Sequence, residues 1–216
     1  MKLMDRAAGA CGIVGVPLVV VFLSRSTPNA NPDDPSSAIA KALVDNRDSA
    51  RLGAFLGLLG AFLLIVFVSR LHGVLRNATG PGAWAPTVAL IGGILLVATI
   101  VVDAGFSFAA SELQSYGQET QVATFFLLWS WSSANLYAPG FAALLTGASL
   151  VVFRSNNFPG WYRWISVALL AVIALLVMVF RAAWFVAAPG SLWIVITSIL
   201  LAVVPVEARE RRTDAA

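Results

Sequence analysis

A nearly uncharged apolar run at residues 87–109 limits the possible folds most strongly. Its only charged side chain is Asp103. Because lipid offers backbone amides no hydrogen-bond partners, an apolar run of this length is typical of a transmembrane helix. A helix that enters near Pro86 and rises about 1.5 Å per residue brings Asp103 roughly 25 Å along a hydrocarbon layer of about 30 Å. We therefore expect a carboxylate near one boundary of the membrane.

The composition extends this interpretation to the whole chain. Of the 216 residues, 59% are hydrophobic and 12% are charged, and the mean hydropathy is +0.84. Such a composition excludes an ordinary soluble protein and makes the lipid bilayer the main partner. The net charge of +3 comes from basic residues spread among the short segments between apolar runs, and this pattern does not indicate nucleic-acid binding.

Six apolar segments predict an all-α, polytopic transmembrane helix bundle that forms one domain over residues 1–216. They cover residues 7–23, 51–75, 87–109, 122–153, 161–180 and 191–206. The first segment could also be a cleaved signal peptide, but no small-x-small cleavage pattern follows it, so we favour a retained helix. The fourth would extend about 48 Å, and we expect a kink near Pro139. Pro189-Gly190 is expected to connect the last two spans.

The first outer loop, residues 24–50, contains a predicted short surface helix. Pro35 and Ser36 can begin it, and Ile39, Leu43 and Val44 then share an apolar face. In the following span, Gly53, Gly57 and Gly60 allow another helix to approach closely. Packing within one protomer is the favoured interpretation, and a homo-oligomer interface is the alternative.

Arginine and lysine residues set the orientation. Six crossings place both termini on one side, which then holds nine of them against five on the other. Because basic residues stay in the cytoplasm during insertion, both termini should be cytoplasmic. The two groups are Lys2, Arg6, Arg70, Arg76, Arg154, Arg163, Arg209, Arg211 and Arg212 against Arg25, Lys41, Arg47, Arg51 and Arg181.

The third span carries the candidate polar site. Thr99, Asp103 and Ser107 share one helix face with Gly92, so that face should contact protein, whereas Ile94, Val97, Val101 and Phe108 should point elsewhere. An intramembrane carboxylate usually has a partner, and Arg181 and Arg51 are the candidates for an ion pair. A proton or cation site and a water-exposed aspartate are the alternatives. Ser132, Asn135 and Tyr137 precede Pro139 and would line a path or bond neighbouring helices.

The aromatic residues and the single histidine fit a membrane location. Five tryptophans near span ends are expected as interfacial anchors, namely Trp84, Trp161, Trp164, Trp184 and Trp193. Trp129 and Trp131 could line an apolar ligand cavity, but core or lipid contact is favoured. The single Cys11 and single His72 exclude a disulfide, a bis-histidine haem and a multi-histidine metal site within one chain, so no cofactor and no metal is expected. His72 is expected to be exposed.

Two short stretches suggest a family. They are Arg-Leu-His-Gly-Val-Leu-Arg at residues 70–76 and Phe-Pro-Gly-Trp-Tyr-Arg-Trp at residues 158–164, together with a Pro/Asp-rich first outer loop. With them, the chain resembles six-span membrane proteins of actinobacteria. That family has no assigned reaction and no catalytic residues to carry over. The resemblance implies a bacterial inner-membrane location and a compact helical bundle.

The sequence contains none of the common catalytic motifs. There is no Gly-x-Ser-x-Gly elbow, phosphate-binding glycine loop, His-Glu-x-x-His helix or Cys-x-x-Cys pair. We therefore expect a non-enzymatic membrane protein that binds a partner protein, a lipid or an apolar ligand. The alternative is a small secondary transporter or channel that uses Asp103. An intramembrane enzyme ranks third.

Overall fold

The computed structural model describes residues 2–26, 34–80, 82–113, 119–155, 158–178 and 183–203, of which 2–5, 36, 113, 119–135 and 183–184 are described by their backbone alone. These residues form α-helices and one 3₁₀ helix, and no strand occurs among them. The helices are α1 (Lys2–Ser26), α2 (Ser36–Asp45), α3 (Arg47–Thr79), α4 (Ala85–Leu113), α5 (Glu119–Arg154), α6 (Gly160–Met178), the 3₁₀ helix (Ala183–Val186) and α7 (Ala187–Val203). The prediction of an all-α bundle is confirmed.

Five helices are long and apolar enough to cross a membrane, and this makes the chain a membrane-embedded protein. They contain the segments Arg6–Ser26, Arg47–Thr79, Ala85–Glu112, Leu136–Arg154 and Gly160–Met178. The helix α7 is also apolar but shorter, with 17 residues. It corresponds to the sixth predicted segment, although it begins four residues earlier, at Ala187, and residues 204–206 of that segment lie outside the described residues. The second and third predicted spans correspond to α3 and α4, and both helices extend beyond the predicted limits at both ends.

Helix α1 packs against α3 and α7. A Cβ added to Gly57 would lie 2.7 Å from the ring of Phe22, and one added to Gly60 would lie 2.8 Å from Val19. The close approach predicted for the glycines of the second span is therefore made inside the protomer. At the other end of α1, a Cβ on Gly9 would lie 2.9 Å from Ala202 of α7. The start of the first helix and the end of the last helix thus lie on the same side of the bundle.

Helix α4 packs between α3 and α5, and glycines of α4 and α5 bring the backbones of these two helices together. A Cβ on Gly92 would lie 2.2 Å from the backbone nitrogen of Leu144, and one on Gly147 would lie 2.4 Å from that of Ala89. On the other side, a Cβ on Gly93 would lie 2.4 Å from Val68 of α3. The positions of Gly92 and Gly147 leave no room for a side chain, because each faces the backbone of the neighbouring helix.

This double packing corrects one detail of the predicted face of α4. Ile94, Val101 and Phe108 are exposed as expected, but Val97 is buried. The prediction assumed one protein-facing stripe. Because α3 and α5 contact α4 from two directions, its buried surface is wider than that stripe, and Val97 falls within it.

Pro139, where a kink was expected, and Pro189, which was expected in a connection, both lie inside helices. Helix α5 continues through Pro139 to Arg154, so the fourth apolar segment is one helix. Pro189 and Gly190 lie in the first turn of α7, and the prediction that they connect two spans was wrong. A proline fits the first turn because the amide groups there have no acceptor within the helix.

The short helix α2 lies against α5. It follows Pro35, as predicted, and Ile39 and Leu43 are buried, whereas Val44 is exposed. The side-chain amide of Asn46 (Nδ2) donates a 2.9 Å hydrogen bond to the carbonyl oxygen of Arg25. That bond fixes the junction of α2 and α3 against the end of α1.

Replacing Gly92 with alanine should lower the stability of the bundle. The added methyl group meets the backbone of α5, so the helices must separate, and overpacking of this kind costs about 1–3 kcal/mol. Thermal unfolding in detergent measures the loss. Gly105→Ala is the matched control in the same helix, because its Cβ would have nothing within 4 Å. Equal melting temperatures for the two variants would contradict the close approach of α4 and α5.

Candidate functional site

A buried hydrogen bond joins Asp103 of α4 to Tyr137 of α5. The phenol oxygen donates to the Asp103 Oδ2 atom over 2.7 Å. Asp103 is 6% exposed and Tyr137 is 5% exposed. Tyr137 is therefore one partner of the intramembrane carboxylate, and the bond to it offsets part of the cost of burying that group.

The other predicted members of the α4 face are placed around Asp103 at helical spacing. The Ser107 hydroxyl donates to the backbone oxygen of Asp103 over 2.9 Å and is buried. Thr99 is partly buried, and its hydroxyl donates to the backbone oxygen of Leu95. Both hydroxyl groups donate their hydrogen bonds to the backbone of α4 itself. They place small polar groups beside the carboxylate, and these bonds do not join α4 to α5.

The predicted ion-pair partners have different outcomes. Arg51 binds Glu112 through its Nη2 atom and donates from Nε to the Ser111 hydroxyl over 3.3 Å. Both partners lie near the end of α4, about two turns beyond Asp103. Arg181 lies outside the described residues, so its pairing with Asp103 stays a prediction.

Ser132 and Asn135 precede Tyr137 in α5, whose backbone is helical there. Their side chains, and those of Trp129 and Trp131, lie outside the described part of the structure. The polar path and the aromatic cavity predicted from these residues therefore remain predictions.

A small apolar cavity adjoins Tyr137 in the centre of the bundle. It has a volume of about 20 Å³, and its walls include Val16 of α1, Leu64 of α3, Ile100 of α4 and Ile194 of α7. The volume suits a single water molecule at most, whereas pockets that bind small molecules measure about 300–1,000 Å³. This cavity does not accommodate a ligand.

A second buried polar group joins α6 to α7 and was missed in the sequence. The hydroxyl groups of Tyr162 and Thr197 are 2.7 Å apart, and the indole of Trp193 donates to the Ser166 hydroxyl over 3.0 Å. The Thr197 hydroxyl proton is used on the backbone oxygen of Trp193, so Tyr162 is the donor to Thr197. Tyr162 and Ser166 are four residues apart in α6, and Trp193 and Thr197 are four residues apart in α7. This spacing was the signal available in the sequence.

The tryptophans that were expected at the interface include both exposed and buried side chains. Trp84, Trp161 and Trp164 are exposed, as interfacial anchors should be. Trp193 is 0% exposed, so its expected position at the interface was wrong. A buried indole needs an acceptor for its N–H group, and Ser166 supplies it. The side chain of Trp184 lies outside the described residues.

His72 is only partly exposed at the end of α3. Its Nδ1 atom lies 3.0 Å from the carbonyl oxygen of Pro86. Because a carbonyl can only accept, Nδ1 is the donor, and the ring ties α3 to the first turn of α4. No group of three or more His, Cys, Asp or Glu side chains that could hold a metal ion occurs within the described ranges.

Comparison with known proteins gives no match to any family model, curated protein or solved structure.

A double-mutant cycle on Asp103→Asn and Tyr137→Phe tests the buried pair. Removing the phenol hydroxyl leaves the carboxylate without this donor, so each single variant should unfold more easily. The two effects should be non-additive, with a coupling energy of about 1 kcal/mol, as expected for hydrogen bonds between membrane helices. Thermal unfolding of the four proteins in one detergent gives the coupling. Additive losses would show that the two groups do not interact.

Proposed function

We propose that this chain is a non-enzymatic integral membrane protein that binds a partner protein, a lipid or an apolar ligand on its outer surfaces. The observation that supports this function is the burial of Asp103 against Tyr137. The carboxylate is buried against Tyr137, and the cavity beside Tyr137 has a volume of only about 20 Å³. Because the buried polar groups of neighbouring helices bond one another, the bundle serves as a rigid support for its exterior.

The same proposal includes six crossings with cytoplasmic termini. Successive long helices run antiparallel, and the start of α1 lies beside the end of α7. The 17 residues of α7 extend about 25 Å, which a membrane accommodates by local thinning and flanking residues. The excess of arginine and lysine on the side of the termini supports a cytoplasmic location for that side.

The proposed location is the inner membrane of a bacterium. It is supported by the resemblance to six-span actinobacterial proteins in residues 70–76 and 158–164. In the structure the second of these stretches lies at the start of α6, where Tyr162 is buried and Trp161 and Trp164 are exposed. Such a turn would anchor α6 at the interface on one side and lock it to α7 on the other.

Proton- or cation-coupled transport is the second candidate function. The observation that favours it is a carboxylate buried roughly 27 Å from the start of α4, at 1.5 Å per residue, with a phenol hydroxyl as a partner. Carboxylates at such positions in membrane helices commonly take part in proton or ion pathways. Ser132 and Asn135 belong to the same helix as Tyr137 and would extend such a pathway.

Purification in a mild detergent tests the first proposal. We expect the wild-type chain to retain a companion protein or a defined set of lipids, because its exterior is its binding surface. Mass spectrometry of the purified sample, with and without a harsh-detergent wash, identifies what is retained. A chain recovered alone, with lipid content equal to that of an unrelated membrane protein of similar size, would refute the proposal.

The variant Asp103→Asn separates the two candidate functions. In liposomes that contain a pH-sensitive dye, the wild type and the variant should show the same proton flux if the carboxylate is structural. Coupled transport instead requires the flux of the wild type to exceed that of empty liposomes and to disappear in the variant. Gly105→Ala, in the same helix and away from any contact, controls for changes in reconstitution.

A further inference from the structure

A depression lies at the arginine-rich end of the bundle, between the end of α3 and the start of α4. It encloses about 370 Å³, and its walls include His72 and Arg76 of α3, Thr87 of α4 and Trp84 of the connecting turn. Arg76, Trp84 and Thr87 are exposed. The depression is therefore open to the exterior and offers a guanidinium group, a hydroxyl group and an indole.

A second depression adjoins the first across Trp84. It encloses about 240 Å³ and is bounded by Trp84, by Arg154 at the end of α5, and by Leu150 and Val151 one turn earlier. Ala83 and Trp84 line both depressions. We name the combined surface the Trp84 basin, formed by His72, Arg76, Ala83, Trp84, Thr87 and Arg154. It joins two cationic groups to an apolar wall.

The charge of the Trp84 basin is positive. The sequence contains no Asp or Glu between Asp48 and Asp103, and none between Glu119 and Glu207. The segments that form the basin therefore contribute arginine and histidine without a carboxylate. Among the described residues, the walls of both depressions contain no acidic side chain.

The walls of the basin are held in place by backbone contacts. His72 Nδ1 donates to the Pro86 carbonyl over 3.0 Å, and the amide of Gly80 donates to the Arg76 carbonyl over 3.1 Å. Gly80 and Gly82 have φ angles of 79° and 87°, a region that favours glycine. These features set the turn that carries Trp84 between Arg76 and Arg154.

We propose that the Trp84 basin binds the headgroup of an anionic phospholipid, with Arg76 of the first depression and Arg154 of the second as the cationic groups available to its phosphate. A guanidinium group donates two parallel hydrogen bonds to phosphate oxygens, and arginines at a membrane surface attract anionic headgroups. The indole of Trp84 is exposed, and an exposed indole at the end of a membrane helix is typical of the headgroup level. The partly exposed side chain of Leu150 supplies apolar surface for an acyl chain, which distinguishes a lipid from free phosphate.

This inference rests on the proposed function and names its ligand. Native mass spectrometry of the full chain in detergent, with added phosphatidylglycerol or phosphatidylcholine, measures lipid binding. Calorimetric titration with inorganic phosphate tests the soluble source of the same chemistry. Arg76→Gln and Arg154→Gln are the test variants. Arg25→Gln is the matched control, because Arg25 is exposed at the opposite end of the bundle.

We expect phosphatidylglycerol to bind more tightly than phosphatidylcholine. Each test variant should weaken phosphatidylglycerol binding about fivefold, since a basic residue near an anionic headgroup contributes about that factor, while Arg25→Gln should match the wild type. Inorganic phosphate should bind weakly. Phosphate binding that equals lipid binding and falls in the same variants would overturn the lipid as the occupant.

Two negative results are distinguishable. If the wild type retains phosphatidylglycerol but Arg76→Gln and Arg154→Gln bind it like the control, the basin is not the site, and the lipid-binding function stands. If the wild type retains neither lipid nor a companion protein, the proposed function fails together with the site.

Discussion

The close approach of α4 and α5 at glycine positions is the constraint on which the rest of the structure depends. Lipid supplies no hydrophobic force between membrane helices, so they associate through packing and hydrogen bonds. A Cβ on Gly140 would lie 3.0 Å from the backbone nitrogen of Leu96, which fixes the register of the two helices. In that register Tyr137 reaches Asp103, and the buried carboxylate gains a hydrogen-bond donor.

The interior and the ends of the bundle differ in how polar groups are satisfied. Inside, hydroxyl, indole and carboxylate groups pair across helices, at Asp103 with Tyr137 and at Trp193 with Ser166. At the end of the bundle where α3 begins and α4 ends, Arg51 binds Glu112. At the opposite end, the turns near Arg76 and Arg154 contain no Asp or Glu. Polar contacts in the interior stabilise the fold, whereas those arginines can neutralise groups supplied from outside the chain.

The departures from prediction share one physical reason. Val97 is buried because α4 has neighbours on two sides, and Trp193 is buried because Ser166 accepts its N–H bond. Pro189 is tolerated in α7 because the first turn needs no intrahelical donors. Each of these outcomes depends on which helices are neighbours, and hydropathy and periodicity describe one segment at a time.

The sequence by itself determined the apolar helices, the all-α class, the position of Asp103 on a protein-facing stripe and the uneven distribution of charge. These features follow from the cost of unpaired amides and charges in lipid, which applies to each segment separately. Only the tertiary structure decided that Tyr137 bonds Asp103, that Arg51 binds Glu112 and that Trp84 lies between Arg76 and Arg154. Those contacts join residues that are distant in the chain. Whether such residues meet depends on the register in which the helices pack, and no single segment contains that information.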